Sequence, residues 1–309
     1  MMMIVAAIAA IVALDAGTLS EPEVNRGFAF PSPNKWFEPG VVSMWVNLLL
    51  NFAAAFLLIW LNKIYNTMRS LSSLAASMFL LMQAGWPELL TRFSGGTLTV
   101  VILIMVTMLL FSVYQNPDAP RRVFLAMFII SLSSLSLYSF LFYIPVVLIG
   151  MVQMKVFNAK TVCAALLGLI TPVWIFMGFG ILRPDDFYMP QIVSIIGNVE
   201  NLQLMAVAVS ALFTLGLGVS FILMNFIKML TYNSRIRAAN GFLTVMLVFT
   251  MLFFLVDFNN MSAYIPTLNW LIAYQIGHYF ATSASRRQYI GILSITGCYV
   301  ALYIWSLMI

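Results

Sequence analysis

Long apolar runs separated by short polar stretches constrain this chain more than any other feature. Such runs occupy most of the 309 residues: Met1–Leu14, Gly40–Leu61, Ser70–Gly85, Thr97–Tyr114, Val123–Met154, Thr161–Leu182, Leu204–Ile227, Gly241–Val256, Ser262–Ser283 and Ile290–Ile309. A helix needs about 20 apolar residues to cross the hydrocarbon core of a bilayer. Charged residues make up 8% of the chain, against about 25% in soluble domains, so a water-soluble fold would lack a polar surface. The sequence therefore predicts an all-α, polytopic transmembrane helical bundle that forms a single domain.

The run Val123–Met154 is too long for one span and too short for two full ones. As a single helix it would be about 48 Å long, against about 30 Å of hydrocarbon. Basic residues flank it on both sides: Arg121, Arg122, Lys155 and Lys160. If both flanks face the same compartment, the run must cross the membrane and return. We therefore predict two short helices, Val123–Tyr138 and Leu141–Met154, joined by an uncharged turn, which brings the total to about eleven spans.

The charges sort by loop once this split is made. Eleven of the 15 basic residues then fall in alternate loops with a single acid, Asp118: Lys63, Arg69, Arg121, Arg122, Lys155, Lys160, Lys228, Arg235, Arg237, Arg286 and Arg287. Lysine and arginine mark the cytoplasmic side of spans. The pattern predicts a cytoplasmic N-terminus and an outer C-terminus in the cytoplasmic (inner) membrane of a bacterium. The first run is short and has no basic residue before it, so it fits a short span, a signal-peptide core or a misassigned start.

Two outer segments are long enough to form surface structure. Asp15–Pro39 carries aromatic residues among prolines, which is typical of a chain lying at the headgroup level. In Arg183–Gln203, branched apolar residues recur at helical spacing from Ile192 to Leu202, which predicts an amphipathic interfacial helix on the outer leaflet. We expect both segments to fold over the outer ends of the spans, with any active or binding site beneath them.

Acidic residues in these two segments are the candidate catalytic groups. Asp185 and Asp186 form the densest charge in the chain and could act as acid and base. Asp15, Glu21 and Glu23 could act as a general base on a lipid-linked substrate. The simpler interpretation of all five is that outer loops tolerate solvated acids.

Three polar residues inside the apolar runs are the candidate substrate-binding groups. Asn47 and Asn51 lie one turn apart on the second span, and His278, the one histidine of the chain, lies near the inner end of the tenth. Polar groups in hydrocarbon need partners, so each could line a polar site or bond a neighbouring helix. Cys163 and Cys298 are expected to be small buried hydrophobic residues. No nucleotide, metal or cofactor motif is present, so we expect no metal, no cofactor and no nucleic-acid partner.

Several local patterns resemble an uncharacterised family of polytopic inner-membrane proteins of Gram-negative bacteria. They are the stretch from Arg121 to Pro145 around Tyr138, the stretch from Val156 to Pro172, Trp45–Asn51, and Tyr264-Ile265-Pro266. The likeness covers about residues 41 to 283. The paired short helices are also similar to those of membrane glycosyltransferases that use polyprenyl-linked sugar donors. That resemblance implies many spans and a catalytic acid in the first outer loop, where Asp15, Glu21 and Glu23 stand.

Three functions follow as hypotheses. The first is the handling of lipid-linked saccharide in the cell envelope, with membrane lipids and a polyprenyl-linked substrate as partners. The second is a transporter or lipid flippase, which requires a polar path through the bundle. The third is a non-enzymatic subunit or assembly factor of a membrane complex, whose protein partners the sequence does not define. An acid-lined cleft on the outer face would favour the first, and a continuous polar cavity near the midplane would favour the second. A large apolar surface left uncovered by the chain's own helices would favour the third.

Overall fold

The computed structural model describes residues 1–17, 27–68, 73–116, 118–183, 185, 187, 202–229, 232–257, 260–282 and 288–308. Most of the described residues are helical, with no β-strand among them. The helices are α1 (Met2–Asp15), α2 (Val41–Tyr65), α3 (Leu74–Ala84), α4 (Pro87–Thr91), α5 (Gly95–Ser112), α6 (Ala119–Ser134), α7 (Tyr143–Gln153), α8 (Ala159–Gly178), α9 (Leu202–Met229), α10 (Ser234–Val256), α11 (Met261–Thr282) and α12 (Gln288–Met308).

Six helices in the described ranges are long and apolar enough to cross a membrane. They are α2, α5, α8, the Val209–Ile227 part of α9, α10 and α12. The chain therefore has the features of an all-helical, multi-pass membrane protein. The larger number of about eleven spans and their orientation stay predictions, because α1, α3, α6 and α7 have 11 to 16 residues each.

The long apolar run in the middle of the chain forms two helices rather than one. Helix α6 ends at Ser134, a 3-10 turn covers Tyr138–Phe142, and α7 begins at Tyr143. The turn predicted between Tyr138 and Leu141 falls inside that 3-10 segment. Pro145 lies in the first turn of α7, where its missing N–H removes no helical hydrogen bond.

The third apolar run, Ser70–Gly85, contains one short helix that ends just before a break in the backbone. Helix α3 is about 16 Å long and ends at Ala84, and the short α4 begins after Trp86. Pro87 causes the break, because a residue before proline is pushed out of helical geometry and Trp86 has φ −124° and ψ 89°. Proline is then well placed at the first position of α4.

Helix α11 is the centre of the bundle. It packs against α3, α5, α9 and α10, and every residue from Ala263 to His278 is buried. Although α11 has 22 residues, its asparagine, glutamine, threonine and histidine side chains make it less apolar than the six spanning helices. Protein rather than lipid surrounds it, which satisfies polar groups that hydrocarbon could not.

Basic residues gather at one end of the bundle. Tyr65, at the end of α2, donates to the Met108 carbonyl of α5 at 2.8 Å. Arg122, at the start of α6, donates to the Ser112 carbonyl at the end of α5 at 2.8 Å. A shallow cleft lined by Tyr65, Tyr114, Met154 and Arg235 brings the ends of α2, α5 and α7 next to the start of α10. The basic flanks of α6 and α7 therefore lie at the same end.

The first long loop packs over the opposite end. The backbone N–H groups of Ala29 and Phe30 donate to the Leu135 carbonyl in the α6–α7 turn, at 3.1 and 2.8 Å. Asn34 Oδ1 accepts from the N–H of Gly95 at the start of α5 at 2.6 Å. Residues 27–40 thus cover this end of the bundle, and the earlier part of the loop, 18–26, lies outside the described residues.

Candidate functional site

One carboxylate is buried at the end of the bundle that the first loop covers. Asp257 follows directly after α10, and α11 begins at Met261. Three residues of the chain lie between Asp257 and the start of α11, so the Asp257 side chain stays close to the ends of both helices. The Asp257 side chain is fully enclosed, with 0% of its surface exposed.

The partners of Asp257 come from two different helical hairpins. Tyr138, in the turn between α6 and α7, donates its hydroxyl to Asp257 Oδ2 at 2.7 Å. Tyr264, in the first turn of α11, donates to the same oxygen at 2.9 Å. Asn260 Nδ2 donates to Oδ1 at 2.9 Å and to Oδ2 at 3.0 Å, and it also contacts the Tyr138 hydroxyl. We call these four residues the Asp257 cluster.

Two effects act on the pKa of Asp257 in opposite directions. Burial raises the pKa of Asp257 above the ordinary value, because a charged carboxylate loses its hydration. The hydrogen bonds from Tyr138, Tyr264 and Asn260 lower the pKa and offset part of that effect. The donors are all neutral, so the cluster supplies dipoles and no positive charge. An acid in this setting exchanges a proton at a higher pH than a solvated aspartate does.

Aromatic and hydroxyl groups extend the cluster. The ring of Phe28, from the covering loop, lies edge-on to the Tyr138 ring with centroids 6.5 Å apart. Deeper in the bundle, the hydroxyls of Tyr143 and Thr250 are 3.3 Å apart, which joins α7 to α10. The turn of α6–α7 and the hairpin of α10–α11 are therefore connected by several polar contacts at this end.

A second polar cluster lies at the basic end of the same two helices. His278 is buried, and its Nε2 is 3.2 Å from Asn240 Nδ2 on α10. Asn240 Oδ1 accepts a hydrogen bond from the Tyr274 hydroxyl, so the Asn240 amide nitrogen faces the imidazole. Because an amide nitrogen only donates, Nε2 is the acceptor and a neutral His278 carries its proton on Nδ1. The ring of Tyr232 packs edge-on against His278 at 5.4 Å.

The two asparagines on the second span, predicted as candidate substrate-binding groups, lie beside the α3–α4 break and hold α4 in place. Asn47 Nδ2 donates to the carbonyl oxygens of Leu89 at 2.5 Å and Leu90 at 3.2 Å. These belong to α4, whose five residues are too few to bond their own last carbonyls. Asn51 Nδ2 donates to the Asn47 carbonyl at 3.0 Å. Both side chains are fully buried, which agrees with a face that points at protein.

Of the acids singled out from the sequence, the two that the structure describes, Asp15 and Asp185, are not among the partners of Asp257. Asp15 ends α1 with an exposed side chain, and Asp185 is also exposed. Glu21, Glu23 and Asp186 lie outside the described residues, as does most of the predicted amphipathic helix in Arg183–Gln203. The expectation that Cys163 and Cys298 are buried is wrong. Both are exposed, because α8 and α12 are the two spanning helices least enclosed by the bundle.

Asp257 is not among the residues singled out from the sequence, and its burial follows only from the structure. The signal available was the spacing, since the apolar runs on either side leave only a few residues for the connection. In the part of the chain that the structure describes, no three His, Cys, Asp or Glu side chains come close enough to share a metal ion. A comparison with protein-family models finds none that matches this chain, and a comparison with curated proteins finds no match either.

Proposed function

We propose that the protein is a transporter for a polar solute in a bacterial cytoplasmic membrane, and that Asp257 binds and releases a proton during transport. The observation that carries the proposal is the fully buried carboxylate that joins two helical hairpins through neutral donors. An ionisable group enclosed in a membrane protein is costly, and such groups commonly mark ion or proton pathways. The titratable groups that face Asp257 among the described residues are Tyr138 and Tyr264, with Tyr143 next to Tyr264.

The proton would control whether this end of the bundle is open. In the closed form burial raises the pKa of Asp257, whereas contact with water would return the carboxyl to its ordinary affinity for protons. By linkage, the proton favours the closed form and its release favours the hydrated, open form. Opening would separate Tyr138 from Tyr264 and so part the α6–α7 turn from the α10–α11 hairpin. Asp257 would then couple the release of its proton to the opening of the bundle at the end that the first long loop covers.

Transport agrees with this geometry better than catalysis by Asp257 does. A catalytic acid must reach its substrate within hydrogen-bond distance, and the Asp257 carboxylate is already surrounded by protein donors. The polar contacts instead tie together helices that would have to move apart. In a transporter the closed arrangement is one state of the cycle, and these polar contacts stabilise that state.

A second candidate function is the handling of a lipid-linked saccharide, as the sequence resemblance implies. The specific observation in its favour is an exposed aromatic surface on the covering loop. The Trp36 indole stacks on the Phe93 ring at 6.1 Å and is 52% exposed, as expected for a residue that contacts a sugar or a lipid headgroup. Asp15 or Asp185 would supply the acid. Asp15→Asn and Asp185→Asn variants that process polyprenyl-linked sugars as well as the parent would rule this candidate out.

Proteoliposomes test the transport proposal. The purified protein is reconstituted with a pH gradient and incubated with a polar extract of bacterial cells, and the internal solutes are identified by mass spectrometry. We expect at least one solute to accumulate, and the accumulation to be lost with a protonophore and in Asp257→Asn. Asp185→Asn, which removes an exposed acid, is the matched control and should accumulate the same solute. No enrichment over protein-free liposomes, or full accumulation by Asp257→Asn, would overturn the proposal.

A further inference from the structure

We infer that the break between α3 and α4 holds a binding site for an uncharged hydroxyl or carboxamide group of the transported solute. The inference rests on the proposed transport function and names the class of solute. The polar groups of this site are the side chains of Gln83, at the end of α3, and Asn269, in the middle of α11. Asn269 Nδ2 donates to Gln83 Oε1 at 3.3 Å. We call this pair the Gln83–Asn269 pair.

The position of the break is suited to a solute in transit. Helix α3 begins at the basic end, where Ala75 packs against Gly277 near His278. It then rises about 16 Å, roughly half of a hydrocarbon core of about 30 Å, before the chain leaves helical geometry at Trp86. Irregular backbone at this depth is tolerated only where protein or a cavity surrounds it, and broken helices are common at transporter binding sites.

The Gln83–Asn269 pair has hydrogen-bonding capacity left over. Both side chains are fully buried, yet Gln83 Nε2 and Asn269 Oδ1 have no hydrogen-bond partner among the described residues. Turning both amides round would exchange the atoms but would still leave one donor and one acceptor. Buried polar groups are nearly always paired, so a pair left open in this way needs an explanation.

A single ligand group can satisfy both atoms. A hydroxyl can accept from Gln83 Nε2 and donate to Asn269 Oδ1, and a carboxamide can do the same with its two ends. Trp86 and Trp270, each within three residues of the pair in sequence, add buried indole N–H donors that also lack a partner in the described part of the chain. Every one of these groups is neutral. A charged solute group would lose its hydration here without gaining a counter-charge.

Unpartnered acceptor oxygens recur among the buried amides of the described residues, Asn225 Oδ1 among them, but Gln83 Nε2 is the one side-chain amide nitrogen there without a partner. Asn225 on α9 donates to both the backbone and the side-chain oxygen of Gln275 at 2.8 Å, and Gln275 in turn donates to Thr244 at 3.2 Å. These contacts join α9, α10 and α11, none of which breaks at these residues. The Gln83–Asn269 pair differs because it stands beside a break in the backbone.

Thermal unfolding of the purified, detergent-solubilised protein tests the site with defined probes. The neutral probes are glycerol, mannitol and propionamide, and their charged counterparts are glycerol 3-phosphate, mannitol 1-phosphate and propionate. We expect at least one neutral probe to raise Tm and its charged counterpart to have no effect. In Gln83→Met and Asn269→Leu the same shift should require about tenfold more probe, the result of losing one buried hydrogen bond. Asn225→Leu, the matched control, should respond like the parent.

The outcomes separate this inference from the proposed function. If Asp257→Asn still binds the probe but transports nothing, both proposals stand. If Asp257→Asn transports as well as the parent while the probe binds at the pair, the coupling role of Asp257 fails and the site stands. If no probe shifts Tm and a high-resolution map shows one water bridging Gln83 and Asn269, the pair is a hydrated helix contact and the inference is wrong. Equal binding by Gln83→Met and the parent would also overturn it.

Discussion

The hydroxyl of Tyr138 donates to Asp257 Oδ2 at 2.7 Å, although the two residues are 119 positions apart in the chain. This bond joins the α6–α7 turn to the link between α10 and α11. Tyr264 brings a second hydroxyl to the same oxygen, so one carboxylate oxygen holds two hairpins together. The arrangement accounts for a buried acid in a chain with only 10 acidic residues.

Removing the Tyr138 hydroxyl should weaken this end of the bundle. We expect Tyr138→Phe to lower the free energy of unfolding by about 1–3 kcal/mol, because it leaves a buried carboxylate short of a donor. Denaturant unfolding in mild detergent measures the change. Tyr289→Phe is the matched control, since Tyr289 is 67% exposed and should lose little. A Tyr138→Phe protein as stable as the control would show that the bond contributes nothing.

The α3–α4 break should depend on Asn47. Replacing Asn47 with alanine leaves the Leu89 and Leu90 carbonyls without their side-chain donor, and we expect a loss of about 1–3 kcal/mol. Asn233→Ala controls for the loss of an amide, because Asn233 is exposed and makes no capping bond through its side chain. Melting temperatures of the two variants in the same detergent give the comparison. Equal melting temperatures would mean that α4 holds its position without Asn47.

The close approach of α5 and α11 should require glycine at position 96. A Cβ there would clash with the Ser262 carbonyl oxygen and lie 2.9 Å from Pro266 Cγ. We expect Gly96→Ala to destabilise the protein by about 1–3 kcal/mol. Gly297→Ala, where a Cβ would meet nothing within 4 Å, should instead be neutral or slightly stabilising, since alanine favours helix. Equal effects of the two substitutions would contradict this packing.

The basic end of the bundle should face the cytoplasm. The motive is the clustering of Arg122, Lys155 and Arg235 at one end, which follows the bias of cytoplasmic loops. Cysteine at position 236, introduced as Ile236→Cys in a background with Cys163 and Cys298 replaced by serine, should resist a membrane-impermeant maleimide in intact cells. It should react after the membrane is permeabilised. Labelling of intact cells would reverse the orientation.

Local signals in the sequence account for much of the fold. Basic residues on both flanks indicated that Val123–Met154 contains two helices, and the structure has a turn at Tyr138–Phe142. The end of the third apolar run at Gly85 matches the end of α3, and the Trp86-Pro87 step contains the reason for the break that follows. The candidate sites depend on contacts that a single sequence does not reveal. Gln83 and Asn269 are 186 positions apart, and only the packing of α3 on α11 brings them together.

The most direct test of the account measures access to the Asp257 cluster as a function of pH. Ser139, one residue after Tyr138, is buried, so Ser139→Cys in the cysteine-free background reports opening by its reaction with a maleimide in detergent. Burial raises the pKa of Asp257, so the proton favours the closed form and is lost as pH rises through that raised pKa. The reaction rate is corrected for the thiolate fraction by dividing it by the rate measured for an exposed cysteine at position 289. We predict that this corrected rate rises with pH. In Asp257→Asn, which stays neutral, the corrected rate should be low at every pH. A corrected rate that is independent of pH in the parent, or that rises equally in Asp257→Asn, would contradict the account.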